Sequence, residues 1–159
     1  MAIDTFLKAI QLMLAPAVMI SACGLLLLGI SNKHSSITNR IRLLNEERRR
    51  FLFKMKDGKD LELIETIRYQ SIGKQLDDML YRLKLVRNVI VFFVCGIFLF
   101  ILTSLIIGLE MFLNINEMEY LKIICFILGM LSVAIGMIYS LTETIKGYKI
   151  VVLEVKADE

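Results

Sequence analysis

The sequence has few of the residues on which soluble enzymes and secreted domains depend. Its 159 residues include no Trp, one Pro, one His and three Cys, and 22% of them are charged. The cysteines have no paired spacing, which excludes a disulfide-stapled domain, and an apolar content of 57% excludes a disordered chain. The order of the residues says more than these averages, because most of the charges lie in one block.

Three runs of the sequence contain no Asp, Glu, Lys, Arg or His. They cover residues 9–30, 88–109 and 123–142. At about 1.5 Å per residue each run is long enough to cross a hydrocarbon core of about 30 Å, so we predict three transmembrane helices. We expect the first run to be retained and not cleaved as a signal peptide, because it is long and is preceded by Asp4 and Lys8 instead of a basic cluster.

The distribution of Lys and Arg predicts the orientation of these spans. The block 31–87 contains 14 basic and eight acidic residues, whereas the loop 110–122 contains one Lys and three Glu. Because basic loops stay in the cytoplasm, we expect this block and the tail 143–159 to be cytoplasmic. The N-terminal residues 1–8 and the loop 110–122 are then extracytoplasmic. The tail either extends the third helix or forms a short strand.

The cytoplasmic block has the pattern of two long helices. Apolar residues recur at alternating spacings of three and four, first from Ile30 to Met55 and again from Leu61 to Ile90. Gly58 and Asp60 suit a helix end and a helix start between the two arms. We therefore predict an all-α membrane protein with an antiparallel, coiled-coil-like helical hairpin between its first and second spans. Apolar residues outside the main seams favour association of the hairpins of different copies. Alternatively, they cover the flanks of a single hairpin.

The spans lack the residues that membrane-embedded chemistry requires. Proton relays, voltage sensors and intramembrane metal enzymes normally need ionisable side chains within the membrane, and none is present. The chain has no phosphate-binding loop, nucleophile elbow or metal-binding motif. We expect no enzyme activity, no cofactor, no metal and no nucleic-acid partner.

Two polar residues stand out in the first span. Gln11 lies near its outer end and Ser21 near its middle, and Pro16 between them is expected to kink the helix. In an oligomer this face could line a water-filled path. Alternatively, Gln11 is interfacial and Ser21 bonds to its own helix.

A stripe of small residues marks one face of the third span. Small side chains at spacings of three or four let two helix backbones approach closely, so we assign this stripe to helix packing. Its members are Gly129, Ser132, Gly136 and Ser140.

Two groups of charges are candidate interaction surfaces outside the membrane. A cytoplasmic basic face could meet an acidic partner, although a solvated face with local ion pairs is the simpler reading. Carboxylates on the outer side could concentrate cations around a ring of subunits, but would mean little in a monomer. The basic face comprises Arg40, Arg42, Arg48, Arg49 and Arg50, and the acidic rim comprises Asp4, Glu110, Glu117 and Glu119.

Parts of the first span and of the arm after it resemble a family of small bacterial membrane proteins, the domain of unknown function 2721. The resemblance covers residues 8–142, and its most specific element is the stretch Gln11-Leu12-Met13-Leu14-Ala15-Pro16, with further likeness at 21–27 and 40–45. It implies a bacterial inner-membrane protein with three spans around a charged cytoplasmic segment. It implies no activity, but draws attention to Gln11, Pro16, Ser21, Arg40 and Arg42.

Two functions fit these features. The first is an oligomeric ion-conducting pore lined by the first span, since three spans are too few to enclose a path alone. The second is a membrane scaffold or regulatory subunit whose hairpin docks a cytoplasmic protein. In both, the lipid bilayer is a partner, and in the first a homo-oligomer is required.

Overall fold

Three long helices make up the part of the chain that the computed structural model describes. The structure describes the backbone of residues 2–56, 63–113 and 119–157, and the side chains of residues 7, 10–56, 65–110, 112 and 119–148. The helices are α1 (Ala2–Lys56), α2 (Leu63–Leu113) and α3 (Glu119–Ala157). Each is long and apolar enough to cross a membrane, which confirms an all-helical chain with three candidate spans.

The helices continue well beyond the apolar runs. α1 and α2 each join a predicted span to a predicted arm within one helix. α3 continues as far as Ala157, so the described part of the predicted tail is helical and is not a strand. α1 is also continuous through Pro16, where proline removes one backbone hydrogen bond. Gly58, the predicted helix end, and Asp60, the predicted helix start, lie outside the described residues.

The chain divides into two compact units, and the first contains the apolar runs. It comprises Met1–Ile30 and Asn88–Leu141. Its core is apolar because it is built from the uncharged faces of the three runs, and Phe93 and Phe100 are fully buried at its centre. The other buried members of this core are Cys23, Val89 and Val133.

Small residues allow α2 and α3 to approach each other closely within the first unit. A Cβ atom added to Gly96 would lie 2.6 Å from Cγ2 of Val133, and one added to Gly136 would lie 2.8 Å from the Phe93 ring. Ser132 adds a hydrogen bond, with its Oγ donating to the carbonyl oxygen of Phe92 at 2.7 Å. The contact therefore combines ring packing on glycines with one interhelical hydrogen bond.

The second unit contains the charged arms. It comprises Ser31–Arg87 and Thr142–Glu159. The residues that the sequence pattern assigns to the seams include its most buried apolar side chains, namely Ile37, Leu44, Ile72, Met79 and Val86. Three polar residues occupy seam positions between the apolar ones. Of these, His34 and Arg48 are half-buried, whereas Arg68 is exposed. The last seam residue of α1, Met55, is also exposed.

Ion pairs link the C-terminal part of α1 to the N-terminal part of α2 in this unit. Lys54 pairs with Glu65, and Arg68 donates from Nε to Oε1 of Glu47 at 3.0 Å. Most of these side chains are well exposed, so each pair contributes at most about 1 kcal/mol. The apolar seam therefore supplies most of the stability of this contact.

Candidate functional site

A buried carboxylate is the most unusual polar feature of the second unit. Glu143 of α3 is 1% exposed. Its Oε1 atom accepts hydrogen bonds from Nε and Nη2 of Arg82 on α2, at 3.2 and 2.9 Å. Its Oε2 atom pairs with Nζ of Lys33 on α1. One carboxylate thus binds a cation from each of the other two helices, and we call Lys33, Arg82 and Glu143 the ionic cluster.

The sequence around Glu143 makes room for this cluster. Gly147 lies one turn further along α3, and a Cβ atom there would lie 2.7 Å from Nη2 of Arg82. The missing side chain lets the guanidinium lie against the helix backbone. Thr144 Oγ1 accepts a further hydrogen bond from Lys33 Nζ at 3.2 Å. Local sequence therefore positions both cations around the carboxylate.

A second cation contact joins α2 and α3 beside the ionic cluster. Nζ of Lys146 donates to the hydroxyl of Tyr81 at 2.8 Å and lies 4.1 Å from the centre of its ring. Both side chains are exposed. An exposed cation–π contact of this kind contributes about 0.5–1 kcal/mol, so it supports the docking of α3 without dominating it.

The two cations of the ionic cluster offset the cost of burying the Glu143 carboxylate. Burial of an unpaired carboxylate is costly, and here two cations compensate it. The cations differ in accessibility, since the Lys33 side chain is 41% exposed and that of Arg82 is 14% exposed. Arg82 therefore depends on Glu143 more than Lys33 does, because a solvated ammonium retains its water.

The chemistry available to the cluster is charge pairing between helices. It contains no nucleophile, and within the described side chains no three His, Cys, Asp or Glu residues are close enough to hold a metal ion. What the geometry does provide is a three-way link between α1, α2 and the last part of α3.

This cluster was not predicted from the sequence, because Glu143 was assigned to the cytoplasmic tail 143–159 and given no partner. A signal was present, however. The stripe of small residues on α3 continues at the same spacing, from Gly136 and Ser140 to Glu143 and Gly147. A carboxylate on the packing face of a helix faces the neighbouring helices, and Glu143 and Gly147 are both buried.

The predicted pore-lining residues both lie on the outer surface of the single chain. Gln11 and Ser21 are exposed, and neither forms a hydrogen bond with another described residue. Pro16, between them, is fully buried and faces the interior of the first unit. The structure therefore brings Gln11 and Ser21 to the surface of α1 that turns away from the core.

The predicted acidic rim is only partly described. Asp4 and Glu117 lie outside the residues whose side chains the structure describes, and Glu119 is exposed. Glu110 differs from the expectation, because its Oε2 atom accepts a hydrogen bond from Lys122 at 2.7 Å and its side chain is 12% exposed. Lys122 offsets the charge of this carboxylate, while its buried Oε1 atom has no hydrogen-bond partner among the described residues.

The predicted basic face is split. Four of its residues are exposed, whereas Arg48 is half-buried with its guanidinium 5.8 Å from the centre of the Tyr69 ring. Arg48 therefore belongs to the contact between α1 and α2. The exposed members are Arg40, Arg42, Arg49 and Arg50.

The predicted packing stripe faces the interior of the first unit. Gly129 lies beneath the Phe100 ring and Gly136 beneath the Phe93 ring. Ser132 bonds to the backbone of α2, and Ser140 is half-buried. These four residues lie on one side of α3, and the first three contact α2.

Comparison with known proteins gives one match. No curated protein and no solved structure matches the chain. Residues 13–152 match the family described as "Protein of unknown function (DUF2721)". This match covers most of the chain: the second and third spans, the arms, the ionic cluster and all but residues 9–12 of the first span. The chain therefore belongs to this family of membrane-like helical proteins.

Proposed function

We propose that this protein is a non-catalytic, self-associating membrane protein whose copies meet through α1 and form a ring around an ion-conducting path. Gln11 and Ser21 line this path. The observation that carries the proposal is that both residues are exposed and lack hydrogen bonds to other described residues. A polar side chain facing hydrocarbon without a partner is costly, whereas one facing a water-filled path is solvated.

Two polar side chains of the other spans form hydrogen bonds, although the half-buried Ser104 of α2 forms none with another described residue. Thr103 donates to the carbonyl oxygen of Leu99 at 2.9 Å, and Ser132 donates to that of Phe92. α1 is also the least covered span, since 11% of its most apolar stretch is buried, against 28% for α2 and 17% for α3. Both contrasts favour α1 as the surface that meets other copies.

Two glycines of α1 have open space beside them, which adds to this argument. A Cβ atom added to Gly24 or Gly29 would have no neighbour within 4 Å, whereas Gly96, Gly129 and Gly136 are all in close contact with side chains. Glycines on an exposed transmembrane face permit close approach of another helix. We place these spans in the bacterial inner membrane, with the arms and the C-terminal segment in the cytoplasm.

The first test is the oligomeric state of the full chain in lipid nanodiscs, measured by native mass spectrometry. We expect a closed ring of four or more copies.

K⁺ and Cl⁻ flux from proteoliposomes is then compared between the wild type, Gln11→Ala and Ser21→Leu. We expect Ser21→Leu to lower the flux at least about tenfold, because it narrows the path and removes a hydroxyl. Cys95→Leu, on the exposed surface of α2, is the control. A monomer, a closed dimer or equal flux in all variants would contradict the proposal.

A scaffold function is the second candidate, and exposed apolar residues on the arms favour it. Leu43, Phe53 and Ile67 are 67%, 66% and 60% exposed. Such residues often mark a docking surface for another protein. Crosslinking of the full chain in cells would recover a cytoplasmic protein if this function is correct. Recovery of self-contacts alone would count against it.

A further inference from the structure

Lysines lie at matching distances from the uncharged runs of α2 and α3. Lys84 precedes the run 88–109 by four residues, and Lys146 follows the run 123–142 by four residues. Four residues of helix extend for about 6 Å. The headgroup layer on each side of a hydrocarbon core is about 5–8 Å thick, so both lysines lie at the depth of the lipid phosphates.

The contacts between α2 and α3 place the two lysines at similar heights. Nζ of Lys146 donates to the hydroxyl of Tyr81, and Arg82 donates to Glu143, so the two helices are antiparallel here. Counting three residues along α2 from the first contact, or two from the second, places Lys84 three or five residues from the level of Lys146. This separation is about 4–8 Å along the helix axis, within the reach of two lysine side chains.

Lys84 lies on the outer face of α2, beside Tyr81. It is two residues from Arg82, which points to the buried Glu143, and is therefore about 200° around the helix from it. It is three residues from Tyr81, the spacing of neighbouring side chains on a helix surface. Because Tyr81 also contacts Lys146, this half-exposed tyrosine lies between the two lysines. We call Tyr81, Lys84 and Lys146 the lysine patch.

The lysine patch has hydrogen-bond donors to spare. Lys146 uses one of its three ammonium hydrogens on the Tyr81 hydroxyl, which leaves two of them and the phenolic hydrogen free to donate. Lys84 is exposed and bonds to no other described residue. The patch is therefore complementary to a group that carries several acceptor oxygens and a negative charge.

The surroundings of the lysine patch are also positive. The facing stretches 81–87 and 142–148 contain four cations and one carboxylate, and that carboxylate is Glu143, whose charge the ionic cluster offsets. The nearest exposed carboxylates of α2, Asp77 and Asp78, precede the first stretch by about one turn and lie on the side away from the uncharged run. At the depth of the headgroups the charge is thus positive.

We propose that the lysine patch binds the headgroup of a phospholipid with a net negative charge. The phosphate oxygens accept hydrogen bonds from both ammonium groups and from the Tyr81 hydroxyl. A zwitterionic phospholipid has the same phosphate but adds a cation, which the positive surroundings repel, so the patch selects anionic lipid. This inference is independent of the proposed pore, because it requires only one copy of the chain.

The alternative is that these lysines anchor the ends of two spans beside any phosphate, without preference among lipids. Single variants of the full chain, Lys84→Gln and Lys146→Gln, separate the two. The matched control is Lys74→Gln, which removes the same charge from an exposed position on α2. Lys74 is ten residues, about 15 Å, farther from the uncharged run than Lys84.

The experiment titrates the full chain in detergent with dioleoyl phosphatidylglycerol or dioleoyl phosphatidylcholine, and native mass spectrometry gives the Kd of the first bound lipid. We expect the wild type to bind phosphatidylglycerol at least about tenfold more tightly. Lys84→Gln and Lys146→Gln should each lower this preference about fivefold, whereas Lys74→Gln should keep it.

Three results would overturn the proposal: a wild type without the preference, a preference that survives both patch substitutions combined, or an equal loss in Lys74→Gln. Displacement of the bound lipid by glycerol 3-phosphate at the same concentration would also overturn it, since the patch would then bind a free phosphate. None of these results bears on the ring of copies or on ion flux, so this proposal and the proposed pore fail separately.

Discussion

At the scale of single residues, the glycines of the spans have opposite surroundings. Gly96 faces α3 so closely that an added Cβ would lie 2.6 Å from a Val133 methyl group and 3.3 Å from the backbone oxygen of Gly129. A backbone atom cannot move aside cheaply. Gly24 has no atom within 4 Å of the same position. The same residue type therefore has a packing role at one site and none within the chain at the other.

We expect Gly96→Ala to destabilise the protein by about 1–3 kcal/mol, because the methyl group overpacks the contact between α2 and α3. Within the single chain, Gly24→Ala should be neutral or stabilising by up to about 1 kcal/mol, since alanine is the better helix former; both variants are therefore compared at a dilution at which the copies are separated. Thermal unfolding followed by circular dichroism in detergent compares the two variants. Equal stability of the two would contradict the close approach at Gly96.

At the scale of helices, the sequence predicts the spans well because a membrane imposes a length and a hydrophobicity on each one. The burial of Glu143 is harder to predict. A charged residue directly after an apolar run usually anchors the run in water, and the pattern of one helix does not reveal that Arg82 and Lys33 meet it. Those two cations are 61 and 110 positions away along the chain. The pairing depends on how three helices pack, which no local pattern encodes.

Removal of the buried carboxylate should release the last part of α3. Glu143→Ala leaves Arg82 and Lys33 without their partner, and we expect a loss of about 3 kcal/mol. The matched control is Glu47→Ala, which breaks the exposed pair with Arg68 and should cost at most about 1 kcal/mol.

The rate of amide hydrogen exchange shows whether the last part of α3 is released. In Glu143→Ala, amide exchange over residues 142–148 should accelerate more than exchange in the α2–α3 contact around Gly96. In Glu47→Ala, residues 142–148 should exchange as in the wild type. Unchanged exchange in Glu143→Ala would show that the cluster does not hold α3.

At the scale of the whole molecule, assembly and orientation depend on surroundings that one chain does not contain. The structure establishes which faces the chain leaves uncovered, such as Gln11 and Ser21 on α1. Lipid, other copies or a protein partner covers these faces, and the single chain contains none of them. The proposed orientation, by contrast, rests on charge, because translocation of a loop with 14 basic residues is strongly disfavoured.

The orientation is tested by cysteine labelling of the full chain in intact bacterial cells. Cys23, Cys95 and Cys125 are replaced by alanine, and one cysteine is introduced by Glu119→Cys or by Asn45→Cys, both at exposed positions. A membrane-impermeant maleimide should label Glu119→Cys in intact cells, because residues 110–122 carry a single Lys and are expected outside. It should label Asn45→Cys only after permeabilisation, since this residue lies in the basic block. Labelling of Asn45→Cys alone in intact cells would reverse the orientation, and would move the acidic end of the proposed pore to the cytoplasmic side.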